Sequence, residues 1–202
     1  MVRITNEKEF KNLEILLYPS GMYVDILECQ YSLMTYALQK HSKVMQVRFD
    51  LHYPSDGSII PNDGDISTFS YNFSRRLSRM CISSHRLDPY YLWAREMAGA
   101  IYPHYHFLVW INANAIQHMY TIFKIATVVW DNILNANKSS LVHHCLNKNR
   151  NHKYYNGIII DRNSDDYGYS LQEAFRPGSY LSKVDTKDNL NKFERKFGHS
   201  KI

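Results

Sequence analysis

One stretch decides the fold prediction: Pro103-His104-Tyr105-His106-Phe107-Leu108-Val109-Trp110-Ile111-Asn112. It is rich in aromatic and β-branched residues, opens with a proline and ends in a polar turn, which is typical of a β-strand. Side chains two residues apart on a strand share a face, so His104 and His106 point the same way. Two imidazoles side by side can hold a metal ion, whereas two buried structural histidines would each need a hydrogen-bond partner.

A second strand pattern comes just before it, Tyr-Tyr-Leu-Trp-Ala-Arg-Glu at residues 90–96. A short connection that contains Gly99 joins the two strands, which predicts an antiparallel hairpin. The hairpin brings Glu96 within reach of His104 and His106 across the strand ladder. A carboxylate buried there only for packing would need a partner.

A third strand pattern covers residues 44–51. Every second residue from Met45 to Leu51 is apolar, and the intervening residues are polar. One face of this strand therefore covers a core. The polar face, which carries Arg48, Asp50 and His52, is either plain solvent-facing surface or the floor of a site.

Helical patterns lie around these strands. Asn6 and Glu9 form a capping box before apolar residues at helical spacing, which predicts a first helix. Further helices are predicted at residues 24–39, 65–80 and 113–135, and short strands at 141–145 and 156–161. A last helix is predicted from Ser170, broken at Pro177 and capped again by Ser179.

The order of these patterns predicts an α+β fold. We expect an antiparallel sheet of about five strands with helices packed on one face, in the ferredoxin-like manner. The 202 residues, with a mass of 23.8 kDa, fit one domain with a sizeable core. We place an N-terminal helical lead-in at residues 1–42, the main domain at 43–187 and a charged, ragged tail at 188–202.

The composition is moderately basic. A net charge of +5 and a pI near 9.0 favour a polyanionic partner, and the 16 tyrosines suit stacking on unpaired bases. Arg75, Arg76 and Arg79 lie on the exposed face of the helix at 65–80, as a solvated surface or as phosphate contacts. The basic tract at residues 143–155 is interpreted as a solvated loop that can also contact nucleic acid.

Cysteine usage and hydropathy indicate a soluble protein of a reducing compartment. Cys29, Cys81 and Cys145 are widely spaced and form no CxxC motif, which argues against a disulfide framework or a zinc knuckle. No signal-peptide pattern and no long apolar run is present in the sequence. We expect a cytoplasmic protein with no membrane partner.

A further motif lies near the C-terminal end of the main domain. Tyr180 and Lys183 are three residues apart, so on a helix their side chains lie next to each other. Taken alone, Tyr180 is an ordinary tyrosine at the start of a helix. Its meaning depends on the motifs that precede it.

The sequence carries a polar-faced strand, then Glu-x7-His-x-His, then Tyr-x-x-Lys. This ordered set resembles the HUH endonuclease superfamily, which comprises rolling-circle replication initiators, conjugative relaxases and single-strand transposases. The chain is most similar to the inovirus-type replication proteins of filamentous phages, the YagK/YfjJ C-terminal-domain family. The matching span, about residues 44–187, covers most of the chain. Its motifs are Arg48-Phe49-Asp50-Leu51-His52-Tyr53-Pro54, Trp93-Ala94-Arg95-Glu96, His104-Tyr105-His106 and Ser179-Tyr180-Leu181-Ser182-Lys183-Val184-Asp185-Thr186-Lys187. The connection at residues 97–103 is more apolar than this resemblance implies.

The resemblance implies a metal site. His104 and His106 would bind a divalent ion, with Glu96 as third ligand and Asp50 or His52 as alternatives. Histidines with one carboxylate suit Mn²⁺ or Mg²⁺, whereas structural zinc requires four closed ligands.

The resemblance also implies the reaction, initiation of rolling-circle replication of a phage or plasmid in the bacterial cytoplasm. Tyr180 would attack a phosphate of single-stranded DNA or of an origin hairpin, releasing a 3′-OH and retaining the 5′ end as phosphotyrosine. Lys183 would stabilise the phenolate, because a phenol ionises only near pH 10 in water. A single nucleophile fits a cycle that a second subunit or a hydroxyl completes. Nucleic-acid contacts would come from Arg48, Asp50, His52, Arg95 and Lys187.

Other functions stay open. A host helicase would supply unwinding, because the sequence carries no P-loop segment. A non-catalytic module would bind single strands by stacking alone, without metal and without a covalent adduct. A degenerate relative that acts as a regulator and a metal-dependent hydrolase of RNA are further alternatives.

Overall fold

The computed structural model describes residues 2–97, 99, 101–136, 141–145, 156–185, 187 and 195–202. The strands in these ranges are β1 (Ile4–Thr5), β2 (Glu9–Phe10), β3 (Leu13–Glu14), β4 (Met22–Tyr23), β5 (Lys43–Leu51), β6 (Cys81–Ile82), β7 (His85–Arg86), β8 (Tyr90–Glu96), β9 (His104–Asn112), β10 (Val142–His143), β11 (Ile158–Asp161) and β12 (Phe197–His199). The α-helices are α1 (Val24–Lys40), α2 (Asp65–Ser78), α3 (Met119–Leu134) and α4 (Tyr167–Gly178), and a 3-10 turn at Ser179–Ser182 follows α4. None of the described helices is both long and apolar enough to cross a bilayer.

The main sheet is antiparallel and has six strands, in the order β10-β5-β9-β8-β12, with β11 also paired to β5. Strand β5 pairs with β9 from Val44 opposite Asn112 to Leu51 opposite Tyr105. Strand β8 pairs with β9 up to Glu96 opposite His104, which is the predicted hairpin. The α+β class and the antiparallel sheet are confirmed.

Helices cover both faces of this sheet rather than one. On one face, α2 and α3 pack against apolar residues of β5 and β9 such as Phe49 and Phe107. On the other face, α1 and α4 bury Leu108 and Trp110. The alternation in β5 predicts a polar second face, but the neighbouring strands contribute apolar residues to that same face. Only one end of the face therefore stays polar.

The predicted first helix is wrong. Residues 4–23 form β1 to β4, with β2 paired to β3 and β1 to β4. Lys11 and Asn12 form the β2–β3 turn with φ of 51° and 63°, a left-handed conformation that ends any helix. Apolar residues three apart fit a tight hairpin as well as a helical turn. Helix α1 follows at the predicted place and packs in the same core as Leu108 and Trp110.

Three further differences lie in the C-terminal half. Helix α3 begins at Met119, later than predicted, and α4 runs through Pro177 to Gly178. Pro177 therefore lies inside the last turn of α4 and does not end the helix. Ser179 does not cap a new helix; its hydroxyl donates to the carbonyl of Arg176 instead. The tail supplies the edge strand β12, whereas residues 146–155 and 188–194 lie outside the described residues.

Candidate metal centre

Glu96, His104 and His106 meet at the polar end of the face that α1 and α4 cover. Strand pairing sets Glu96 opposite His104, and the ligand atoms of the three residues all lie within 4.8 Å of one another. Glu96 Oε2 is 3.0 Å from His106 Nε2 and 3.6 Å from His104 Nε2. Glu96 and His106 are buried, at 1% and 3% exposure, while His104 is partly accessible. Glu96, rather than Asp50, is therefore the carboxylate that lies close to the Nε2 atoms of both histidines.

Asp50 holds the ring of His106 from behind. Its Oδ1 lies 2.7 Å from His106 Nδ1, which must donate because a carboxylate only accepts. Burial by itself raises the pKa of Asp50, but the His106 hydrogen bond and the Arg48 charge hold that pKa well below its usual range. A carboxylate on the far nitrogen of a histidine ligand fixes its tautomer and aims the other nitrogen at the metal. Asp50 is therefore placed to orient a ligand.

His106 Nε2 is the atom that distinguishes this cluster. It is buried and has no hydrogen-bond partner among the described residues, although Glu96 Oε2 lies 3.0 Å away. The two atoms lie at ion-pair distance, and the Nε2 atom of His104 lies 3.6 Å from the same carboxylate oxygen. Two imidazole nitrogens and a carboxylate oxygen arranged in this way fit a divalent cation of the Mn²⁺ or Mg²⁺ class.

Two lysines flank the Glu96 carboxylate. Lys183 Nζ lies 3.1 Å from Oε2, and Lys187 Nζ lies 3.3 Å from Oε1. Burial by itself raises the pKa of Glu96, but contacts with His104, His106 and Lys187 hold that pKa far below its usual range. Burial lowers the pKa of Lys187 to about 8 even beside this carboxylate. Glu96 is ionised and fixed on both oxygens.

Lys187 has a different position from the one that the sequence predicts. A DNA contact requires an accessible ammonium, whereas its side chain is fully buried and its Nζ also donates to the carbonyl of Lys183. Arg95 is also displaced, because it lies on the opposite sheet face and pairs with Asp63 at 3.2 Å. Lys187 therefore reaches the cluster only as the buried partner of Glu96, and Arg95 does not reach it.

Tyr180 lies beside the histidine cluster. Its hydroxyl accepts a hydrogen bond from Lys183 Nζ, and the 3-10 turn explains the contact because three residues per turn align positions i and i+3. The ring packs edge-on against His106, with centroids 5.0 Å apart, and under Arg48 Cζ at 4.4 Å. Val184 N donates to the Gly21 carbonyl, which attaches this segment to the start of β4.

Lys183 connects the two groups. Burial lowers the pKa of Lys183, but the contacts with Tyr180 and Glu96 outweigh burial and raise that pKa above its ordinary value. The ammonium therefore keeps its charge at neutral pH. One cation thus contacts both the phenol and the carboxylate that faces the histidines.

His52 continues the row of imidazoles. Its ring stacks on His104 with centroids 5.1 Å apart and on His143 at 4.1 Å. Burial, with the neighbouring His143 and His104, lowers the pKa of His52 to about 4, so the ring is neutral at pH 7. Of the five predicted nucleic-acid contacts, Arg48, Asp50 and His52 lie at the site.

Two further residues lie at the site: Tyr18, which was not predicted, and His143, which was predicted only as part of a basic tract that can contact nucleic acid. Tyr18 packs edge-on against Tyr180, with ring centroids 5.9 Å apart, and burial raises its pKa. His143 stacks on His52 from the short strand β10. The strand that carries His143 was predicted at 141–145, whereas Tyr18 has no sequence signal because its position depends on tertiary packing.

Comparisons with known proteins give a family. A model of the YagK/YfjJ C-terminal domain matches residues 5–200. The chain is similar to the protein named Uncharacterized protein YagK from Escherichia coli (strain K12), with 27% identity over 209 residues, covering 89% of this chain and 95% of that protein. No solved structure matches the chain significantly. The family match includes both the N-terminal strands and β12.

Proposed function

We propose that this chain, which belongs to the YagK/YfjJ C-terminal domain family, is a metal-dependent endonuclease and strand transferase acting on single-stranded DNA. One observation carries the proposal: the Tyr180 hydroxyl and the Glu96 carboxylate contact the same ammonium, that of Lys183. A potential nucleophile and a potential metal centre therefore share one small space, and both are needed to cleave a phosphodiester by transesterification.

Tyr180 is the nucleophile of the proposed reaction. Its phenol oxygen bonds to phosphorus while the bond to the 3′-oxygen breaks, leaving a 5′-phosphotyrosine and a free 3′-OH. The phenolic proton goes to solvent, and the departing 3′-oxygen takes one up. Lys183 stabilises the phenolate and then the phosphate charge, which lowers the barrier where charge develops. The phosphotyrosine bond conserves the phosphodiester energy, so rejoining needs no external source.

Glu96, His104 and His106 would hold Mn²⁺ or Mg²⁺. A divalent ion in this position supplies Lewis-acid polarisation of a phosphate oxygen and aligns the scissile linkage. Asp50 keeps His106 in the required tautomer, and Lys187 holds the oxygen of Glu96 that faces away from His106. The buried surroundings strengthen each of these interactions.

The biological setting is part of the proposal. The ordered motifs and this geometry support an enzyme of the HUH type that initiates rolling-circle replication of a phage or plasmid in the bacterial cytoplasm. Its partner would be single-stranded DNA or an origin hairpin, with a host helicase for unwinding. Among the described residues, Tyr180 is the tyrosine whose hydroxyl bonds to Lys183, which supports a cycle completed by a second subunit or a hydroxyl.

A covalent-adduct assay tests the proposal. Labelled circular single-stranded DNA is incubated with Mn²⁺ and with wild type, Tyr180→Phe or the control Tyr169→Phe, whose tyrosine is 61% exposed on α4. Denaturing gels should show a protein–DNA band in wild type and control that is absent in Tyr180→Phe and with chelator.

Three results would contradict it in different ways. Shifted but uncut DNA in all proteins, over several substrates, would favour the non-catalytic binding module. Cleavage undiminished in Tyr180→Phe would place the nucleophile elsewhere, with Tyr18→Phe as the next variant. Adducts mapped to two tyrosines of one subunit would refute the single-nucleophile cycle.

A further inference from the structure

We infer that a basic groove on the sheet face opposite the metal centre binds the backbone of a single strand of nucleic acid. The groove lies between α2 and the edge strand β12, and Trp93 of β8 lies at its base. Trp93 belongs to the core beneath α2 and α3, whereas Glu96 projects to the other face. The groove is thus separate from the cluster that the proposed reaction uses.

Its charge is of one sign. Arg75 on α2 and Arg195 and Lys201 beside β12 line the groove, and all three are exposed. No acidic residue is among the lining residues in the described ranges. None of the three cations forms an ion pair with another described residue. A groove with three cations and no carboxylate among its described lining residues attracts a polyanion.

The other side chains match the chemistry of a nucleic-acid strand. Ser67, Ser74 and Ser78 line the groove along one stripe of α2 and offer hydroxyl donors to phosphate oxygens. Tyr71 is 63% exposed, and Arg75 Cζ lies 5.8 Å from the centre of its ring. An exposed aromatic ring next to cations is the pattern that stacks unpaired bases and contacts their backbone.

The dimensions also fit a strand. The stripe from Ser67 to Ser78 extends about 16 Å along the helix, which is the length of about five stacked nucleotides. Tyr71 can stack only on bases that are unpaired, so the structure favours a single strand over a duplex. The choice of DNA over RNA rests on the proposed function, whereas the binding itself does not.

A salt-dependent binding measurement tests the groove. Fluorescence anisotropy follows labelled oligo(dT) in EDTA with wild type, the triple variant Arg75→Ala/Arg195→Ala/Lys201→Ala and a control triple. The control Arg76→Ala/Arg79→Ala/Arg86→Ala removes the same charge from exposed arginines that do not line the groove; Arg76 lies on α2 and Arg79 directly follows it. Thermal unfolding checks that all proteins are equally folded.

The groove triple should bind at least about tenfold more weakly than the control at moderate salt. Its slope of log affinity against log salt should fall by about 2, from three lost phosphate contacts at about 0.7 each. Equal weakening by both triples would overturn the inference, because net charge alone would then explain binding. Displacement of oligo(dT) by polyglutamate of matched charge with equal potency would also overturn it, in favour of an acidic protein partner.

Failure of the groove and failure of the proposed reaction give different results. If no protein forms a covalent adduct but the groove triple alone loses binding, the groove stands and the reaction is wrong. If adducts form and the groove triple binds like the control, the reaction stands and the groove is wrong.

Discussion

Two polar pairs lie on the same face of the same two strands and have opposite character. Gln46 is opposite Trp110 in the β5–β9 ladder, and Asp50 is opposite His106 further along. In the first pair, Trp110 Nε1 donates to Gln46 Oε1 at 2.8 Å, and Gln46 Nε2 donates to the Ala174 carbonyl at 2.7 Å. Every polar side-chain atom of this pair has a partner.

In the second pair, one buried atom faces a carboxylate without a hydrogen bond. His106 Nδ1 donates to Asp50, but Nε2 is buried with no hydrogen bond to a described residue. Buried polar atoms usually form hydrogen bonds, and this nitrogen, together with His104 and the Glu96 carboxylate, fits a bound cation. The Gln46–Trp110 pair, whose hydrogen bonds are all formed, is structural. The Asp50–His106 pair, in which His106 Nε2 forms no hydrogen bond, belongs to the candidate site.

The covering elements explain why the two ends differ. Helix α4 closes over the Gln46 pair and ends at Gly178, before it reaches the histidines. The 3-10 turn that follows brings Tyr180 and Lys183 to the polar end instead. A side chain on Gly178 would collide with Gln30 of α1, so the close approach of α4 requires glycine at this position. The end of α4 at Gly178 thus marks the boundary between the buried core and the candidate metal centre.

The largest effect should come from Glu96→Gln. It removes the counter-charge of Lys187, whose side chain is fully buried, and should lower the free energy of unfolding by about 3 kcal/mol. Urea unfolding measures the loss. The double variant Glu96→Gln/Lys187→Met should regain much of it, and a double variant no more stable than the single one would refute the pairing of these two charges.

Gln46→Leu should cost about 2 kcal/mol of unfolding free energy. The change leaves Trp110 Nε1 and the Ala174 carbonyl buried without partners. Urea unfolding checks stability, and Mn²⁺ affinity should be unchanged. Weakened Mn²⁺ binding in folded Gln46→Leu would contradict the distinction between the structural Gln46–Trp110 pair and the Asp50–His106 pair of the candidate site.

Asp50→Asn should weaken Mn²⁺ binding by at least about tenfold while the chain stays folded, because the His106 ring loses the charged acceptor that orients it. Calorimetric titration measures the affinity. An Mn²⁺ affinity equal to that of wild type would show that Asp50 does not orient the ligand.

The smallest effect concerns pH. The pKa of His52 is lowered from 6.5 to about 4, so the unfolded chain binds more protons between these pH values. The stability that depends on neutral His52 is therefore present above pH 6.5 and is lost as pH falls toward 4. His52→Asn should reduce the slope of unfolding free energy against pH by the equivalent of at most about one proton. Unfolding curves across this range provide the test.

The strands of the site could be predicted because their signals are local. The alternation of apolar and polar residues predicted β5. The predicted bounds of β8 and β9 are close to the observed ones, so the position of Glu96 opposite His104 follows from the hairpin alone. Residues 6–17 could not be assigned, since apolar side chains three apart fit a helix and a hairpin equally. The left-handed backbone conformation of Lys11 and Asn12 distinguishes the hairpin from the helix.

The surroundings of the site were less predictable. Lys187 has the charge of a DNA contact, and its burial under Glu96 depends on how the chain continues after the 3-10 turn. Tyr18 reaches Tyr180 because β1 pairs with β4 and sets the path of the N-terminal segment. Contacts between segments that are distant in sequence produce no periodic sequence pattern from which they could be predicted.

The most direct test of the metal centre is an Mn²⁺ titration followed by electron paramagnetic resonance of the free ion. We predict one strong Mn²⁺ site per chain in wild type and in Gln46→Leu. In His104→Gln, which alters the partly accessible ligand and spares the buried ones, affinity should fall by at least about tenfold. Absence of binding in wild type, or equal affinity in His104→Gln, would contradict the assignment of Glu96, His104 and His106 as a metal centre.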